Sequence, residues 1–241
     1  MNYTLEVIAF DIYSCLLAEK NGANRIELCD NQAEGGTTPS YGLISSARSK
    51  VSIELFPIIR PRGGDFLYSD DEFNIMKEDV LMCKKIGCDG IVVGILTQDG
   101  SVDKIRMSIL THLAYPMSVT FHRAFDRTND ALKAMRDIID CGCDRILTSG
   151  QQLTALEGLS LIKELINHAN NQIIIMPGSG IRSENIEEIA LKSGATEFHS
   201  SARIFIDSKM TFKSSSMKEL MKNIQLDENE VRLMKEKLSN L

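Results

Sequence analysis

The chain has 241 residues, 43% of them hydrophobic and 25% charged, with no tryptophan, which is enough apolar material for one substantial core and points to a single domain. A net charge of -6 gives no reason to expect a nucleic-acid or anionic-membrane partner, which would need a basic face that the total charge does not advertise. Met1-Asn2-Tyr3-Thr4-Leu5-Glu6 is no signal peptide and no segment approaches a membrane span, so a cytoplasmic protein is expected, with Cys15, Cys29, Cys83, Cys88, Cys141 and Cys143 as free thiols.

Short apolar runs alternate with helical patterns along the chain, and strands are expected at 5–10, 25–29, 53–60, 90–96, 118–124, 145–149, 172–176 and 197–201. Between helix and strand a glycine turn recurs, as Asn21-Gly22-Ala23-Asn24, Ile86-Gly87-Cys88-Asp89, Cys141-Gly142-Cys143-Asp144 and Ser193-Gly194-Ala195-Thr196. Each glycine suits a left-handed helix C-cap, and Cys88 and Cys143 fall in the slot of Ala23 and Ala195, so they read as small buried residues rather than metal ligands. Helices at 130–140 and 183–192 each carry one apolar face and begin at a capping residue. Asp227-Glu228-Asn229-Glu230 resembles a capping box opening a last helix with Val231, Met234 and Leu238 on one side.

Eight strand–helix units in a chain of this length predict an α/β fold: a single-domain (β/α)8 TIM-type barrel over 1–205, with a C-terminal loop and helix at 206–241 packed on its outside. No Gly-x-Gly-x-x-Gly follows the first strand, so no nucleotide cofactor is expected.

In such a barrel strand residues alternate between the helices and the lumen. With Ile26 and Leu28 facing helices, Glu27 and Cys29 point inward, as do Glu6, Arg60, Thr120, His122 and His199. Burying that set costs several kcal/mol unless the groups pair or meet a ligand. The fifth strand ends in His122, Arg123 and Asp126, the third in Arg60 and Arg62 beside Gly63-Gly64, the seventh in Gly178 and Gly180, and the eighth in His199, Ser200 and Ser201. All belong at the mouth where barrels keep their catalytic loops, and the glycine and serine loops of the last two strands adjoin where an anion is commonly held. Glu27 and His122 are the acid–base candidates. The anion set is Arg60, Arg62, Arg123, Asp126, Gly178, Gly180, His199, Ser200 and Ser201.

The stretches Arg25-Ile26-Glu27-Leu28-Cys29, Glu34-Gly35-Gly36-Thr37-Thr38-Pro39, Arg60-Pro61-Arg62-Gly63-Gly64-Asp65-Phe66, Phe121-His122-Arg123-Ala124-Phe125-Asp126 and His199-Ser200-Ser201-Ala202 resemble the CutC family of copper homeostasis proteins. The resemblance implies a barrel fold, a cytoplasmic protein, self-association into a dimer or tetramer, and an association with copper as Cu(I). Of the two strand-end cysteines implied as ligands only the second is present here, as Cys29, because the first strand reads Glu6-Val7-Ile8-Ala9-Phe10. Two functions are therefore expected in the alternative: Cu(I) handling through Cys29, or a barrel enzyme acting on a small anionic or phosphorylated metabolite.

Overall fold

A computed structural model describes residues 3–214, 216 and 221–241. All eight expected strands are present and parallel: β1 (Thr4–Ala9), β2 (Arg25–Leu28), β3 (Glu54–Pro57), β4 (Gly90–Val93), β5 (Ser118–Phe121), β6 (Arg145–Thr148), β7 (Ile174–Pro177) and β8 (Glu197–Ser200). Several end sooner than the apolar runs suggested, because the chain leaves the ladder to build the mouth loops. Hydrogen bonds join them into two arcs, β3-β2-β1-β8 and β4-β5-β6-β7. The arcs meet where Ile58 bridges Val92 and the Ile59 amide donates to the Val92 carbonyl at 2.7 Å, and again where β7 lies against β8. This closure is a (β/α)8 barrel.

The outer ring comprises α1 (Ile12–Lys20), α2 (Tyr41–Arg48), α3 (Asp70–Ile86), α4 (Lys104–Ala114), α5 (Ala131–Asp140), α6 (Leu159–Ala169), α7 (Ile186–Ser193) and α8 (Glu228–Ser239). None of the described helices is long and apolar enough to cross a membrane. The C-terminal helix packs against the outside of the strands, burying Val231, Met234 and Leu238, and it fills the eighth place in the ring between α7 and α1. Its Glu230 does not close a capping box but receives the amide and hydroxyl of Ser183, at 2.6 and 2.9 Å. Ser183 is thereby drawn away from α7, which starts three residues later than the periodicity suggested. Before α8 the expected loop instead contains an antiparallel hairpin, β9 (Arg203–Asp207) with β10 (Lys222–Leu226).

The repeated turn has a definite job. Gly22, Gly87, Gly142 and Gly194 all have φ between +80° and +87°, a region costly for side-chain-bearing residues. In three copies the polar residue two places on accepts the amide of the second residue of the preceding strand: Leu5 donates to Asn24 Oδ1 at 3.0 Å, Leu55 to Asp89 Oδ2 at 2.9 Å and Val119 to Asp144 Oδ2 at 2.7 Å. Cys88 and Cys143 are buried in this slot, as are Ala23 and Ala195. The main core lies between strands and helices; a smaller apolar cluster, Cys29, Phe56, Ile58 and Val92 with Ile8 and Phe10, lies inside the barrel.

Candidate active site

The lumen is filled in layers. Lowest is the Phe56 ring, with the Arg25 guanidinium 4.8 Å and that of Arg145 5.4 Å from its centroid. Both arginines bond Glu197 Oε2, Arg25 at 2.8 Å and Arg145 at 3.0 Å, and Arg25 also reaches Glu54 at 2.8 Å and Glu6 at 3.3 Å. Sequence reading passed over Arg25, Arg145 and Glu197 although strand alternation exposed them, since Arg25 shares the parity of Glu27 and Glu197 that of His199. Gly90 makes room for this layer, because a Cβ there would lie 2.4 Å from the Phe56 ring.

Above it stands a carboxyl–imidazole–carboxyl relay. His199 Nδ1 lies 2.7 Å from Glu6 Oε1, and its Nε2 lies 3.7 Å from Glu27 Oε2. Burial opposes ionisation of Glu6, yet His199, Arg25 and Arg145 outweigh it and hold its pKa below the usual range. Burial also works against a charged His199, but Glu6 and Glu27 prevail and raise its pKa. Glu27 has no such compensation: burial, with the Glu6 charge adding to it, pushes its pKa up to about 7 against the pull of His199. The residue standing against Glu27 is thus His199, not the His122 with which sequence reading grouped it.

His122 is different in kind. Its Nδ1 accepts the Ala124 amide at 3.2 Å, which leaves the ring proton on Nε2, and its ring tilts against Phe66 with centroids 4.9 Å apart. Burial, then the nearby Arg60 charge, lowers its pKa to about 3, so the imidazole is neutral at physiological pH and is no general acid. Gly94, which no sequence pattern singled out, makes this possible: a Cβ there would come within 2.6 Å of Nδ1.

Glu27, His122 and His199 line a cavity of about 520 Å³ at the C-terminal ends of the strands, with Arg60, Phe66, Arg123, Asp126, Gly180 and Ser201 also in its wall. That volume suits a small metabolite. Glu34, Arg127 and Arg203 complete the charged rim; they lie in mouth segments whose approach to the opening only the folded loops reveal.

The remaining expected anion ligands divide. Arg60 clamps the mouth loops, donating to the carbonyls of Glu34 at 2.6 Å, Gly36 at 2.8 Å and Gly64 at 2.9 Å. Arg62 is held by Glu72 at 2.5 Å and Asp65 at 2.9 Å and takes no part in the cavity wall. Arg123 is paired with Asp126 at 2.8 Å, and Asp126 in turn accepts from Thr148, Ser149 and Gln151. Gly178 spends its amide on the Thr148 carbonyl at 2.9 Å, and its lack of a side chain leaves space for Leu147, 2.4 Å from where a Cβ would be. Ser200 has the parity of the helix-facing Phe198; its hydroxyl donates to Ile181 O at 2.7 Å and accepts from the Ala202 amide at 3.2 Å. Both depart from the expected anion contact for the same reason: strand and loop backbone has already taken the donor.

Cys29 faces the lumen and is fully buried, with the Glu27 carboxyl close to its thiol. Burial and then the Glu27 charge hold its pKa well above the ordinary thiol value, Arg60 pulling weakly the other way.

These features define a (β/α)8-barrel protein with a polar, small-molecule-sized cavity at the catalytic end of its strands. Residues 3–204 match the CutC family, and the chain belongs to that family. It is 49% identical over 213 residues to a CutC family protein of Chromobacterium violaceum, covering 88% of this chain and 86% of that one. Against the mouse protein named copper homeostasis protein cutC homolog it is 49% identical over 215 residues, covering 89% and 79%. The crystal structure of a CutC protein from Streptococcus agalactiae superposes with a TM-score of 0.79 at 35% identity, over 83% of this chain and 98% of that one.

Proposed function

We propose that this protein is a barrel enzyme acting on a small anionic metabolite, with Glu27 as the group that takes up and returns a proton. The observation that carries the reading is the relay on the cavity floor. A carboxyl titrating at about 7 stands 3.7 Å from an imidazole that Glu6 anchors from behind. A base is most useful when its pKa lies near the working pH, and purely structural carboxylates are held well below it, as Glu6 is. Arg60, Arg123, Arg127 and Arg203 around the opening, against Glu34 and Asp126, favour a negatively charged ligand. The test is a thermal-shift series with small carboxylates and phosphate esters on the native protein and Glu27→Gln. A concentration-dependent rise in Tm that the variant loses supports the reading; no rise with any of them at millimolar concentration counts against it.

Copper handling is the second reading, favoured by the names of the mouse and Streptococcus agalactiae relatives. Cys29 is the residue that would hold Cu(I). Its surroundings fit the ion poorly within one chain: the thiol is kept protonated beside the Glu27 carboxyl, and the apolar cluster around it among the described residues, Ile8, Phe10, Phe56, Ile58 and Val92, brings no second soft donor. Among the described residues no group of three or more His, Cys, Asp and Glu is arranged to hold a metal ion. Competition of Cu(I) against a chromogenic chelator, native protein against Cys29→Ser, tests this reading: tight stoichiometric binding that disappears with Cys29 would establish it. Self-association and a cytoplasmic location belong to both readings, and exposed Phe205 and Phe212 after the barrel favour the first of these.

A further inference from the structure

The structure points to His122 as a neutral hydrogen-bond donor that recognises a planar oxygen acceptor, a carboxylate or carbonyl oxygen, on the ligand of the barrel cavity; this is our own inference and rests on the reading of that cavity as an anion site. Three observations converge on it. The first is the tautomer. Because Nδ1 accepts the Ala124 amide at 3.2 Å, a neutral ring carries its proton on Nε2 and offers a donor there.

The second is the orphaned atom. Nε2 of His122 is buried and has no hydrogen-bond partner among the described residues, although the residue is only 4% exposed and lines the cavity. A buried donor left unpaired has lost its water without gaining a partner, a cost that a ligand oxygen in the cavity would remove. The third is the setting. Phe66 covers the ring on one side at 4.9 Å, Gly94 leaves it room where a Cβ would come within 2.6 Å, and the Arg60 guanidinium lies 5.1 Å from the Phe66 ring. A ring so enclosed and so close to a fixed cation stays uncharged, so it donates a hydrogen bond without giving up its proton. The ligand class that follows is a small oxoacid or carbonyl anion, with an oxygen on His122 and its remaining charge toward the rim arginines.

Oxalate, a planar two-carbon dianion, is the probe, with inorganic phosphate as a tetrahedral comparison, each titrated by calorimetry into the native protein, His122→Gln and His122→Leu. Glutamine keeps an N–H at nearly the same reach and leucine does not. The expected result is oxalate binding that weakens about tenfold or more in His122→Leu and stays within about threefold of native in His122→Gln. Equal oxalate binding by all three folded proteins overturns the inference and leaves the anion site standing. Phosphate or phosphate esters binding where oxalate does not has the same meaning, and binding of none of them removes both. Should His122→Leu fail to fold, long-range 1H–15N correlation spectra of the native imidazole decide: a neutral ring protonated at Nε2 from about pH 5 to 8 supports the assignment, and a proton on Nδ1 or a charged ring overturns it.

Discussion

Nδ1 of His199 stands 2.7 Å from Oε1 of Glu6, a contact between residues 193 apart in sequence that is made because β1 and β8 pair in register, Glu6 opposite His199. That one ladder connects the layer of Glu6, His199 and Glu27 above to the arginine layer below.

The lower layer is a stability element. Among the described residues Glu197 alone bonds both buried arginines, so Glu197→Ala leaves two guanidinium groups short of a counter-charge at the barrel floor. Removing one partner of a buried ion pair typically costs about 3–5 kcal/mol, and urea unfolding of the variant is expected to show a loss of that order. A loss under about 1 kcal/mol would mean that water or Glu54 and Glu6 compensate.

Glu27 gives stability a definite pH signature. Its folded pKa of about 7 lies above the ordinary 4.5, so the native state holds the proton more tightly than the unfolded chain between those values. Stability associated with Glu27 is therefore present below the ordinary value and falls as pH rises through the folded one, by on the order of 3 kcal/mol in full. The difference in unfolding free energy between native protein and Glu27→Gln is expected to decline from pH 4.5 to 7 and level off beyond it. A flat difference curve would place the carboxyl in contact with water.

His122 acts in the opposite direction. Its folded pKa is lowered from 6.5 to about 3, so the unfolded chain binds the proton first. The stability this ring contributes is complete above 6.5 and drains away as pH falls toward 3, by on the order of 5 kcal/mol at most. Acid unfolding of His122→Gln is accordingly expected at lower pH than that of the native protein, measured by circular dichroism across the acid limb.

Two glycines are required for space rather than for backbone freedom. An added methyl at Gly90 would lie 2.4 Å from the Phe56 ring, which two arginines hold in place, and one at Gly94 would lie 2.6 Å from Nδ1 of His122. Gly90→Ala is expected to destabilise by about 1–3 kcal/mol through overpacking. Gly94→Ala, by displacing His122, is expected to weaken anion binding to the cavity even where the barrel survives; calorimetric titration with oxalate reads this directly.

The sequence by itself determined the eight strands, the glycine turns between them and the inward parity of Glu6, Glu27, Cys29, Arg60, His122 and His199. These follow from local physics: apolar alternation, a left-handed cap that favours glycine, and the two-residue period of a strand. The CutC resemblance was legible in the same stretches. Partner choice was not, because it depends on register between strands far apart in the chain. Only the closed barrel put His199 rather than His122 beside Glu27, gave Arg60 to three loop carbonyls and Arg62 to Glu72, and gave the Gly178 amide and the Ser200 hydroxyl to backbone carbonyls. Burial was decided there too. The lumen that lifts Glu27 to about 7 and lowers His122 to about 3 excludes water from both; the Glu6 carboxylate pushes Glu27 further toward its neutral form against the pull of His199, and the Arg60 guanidinium does the same to His122.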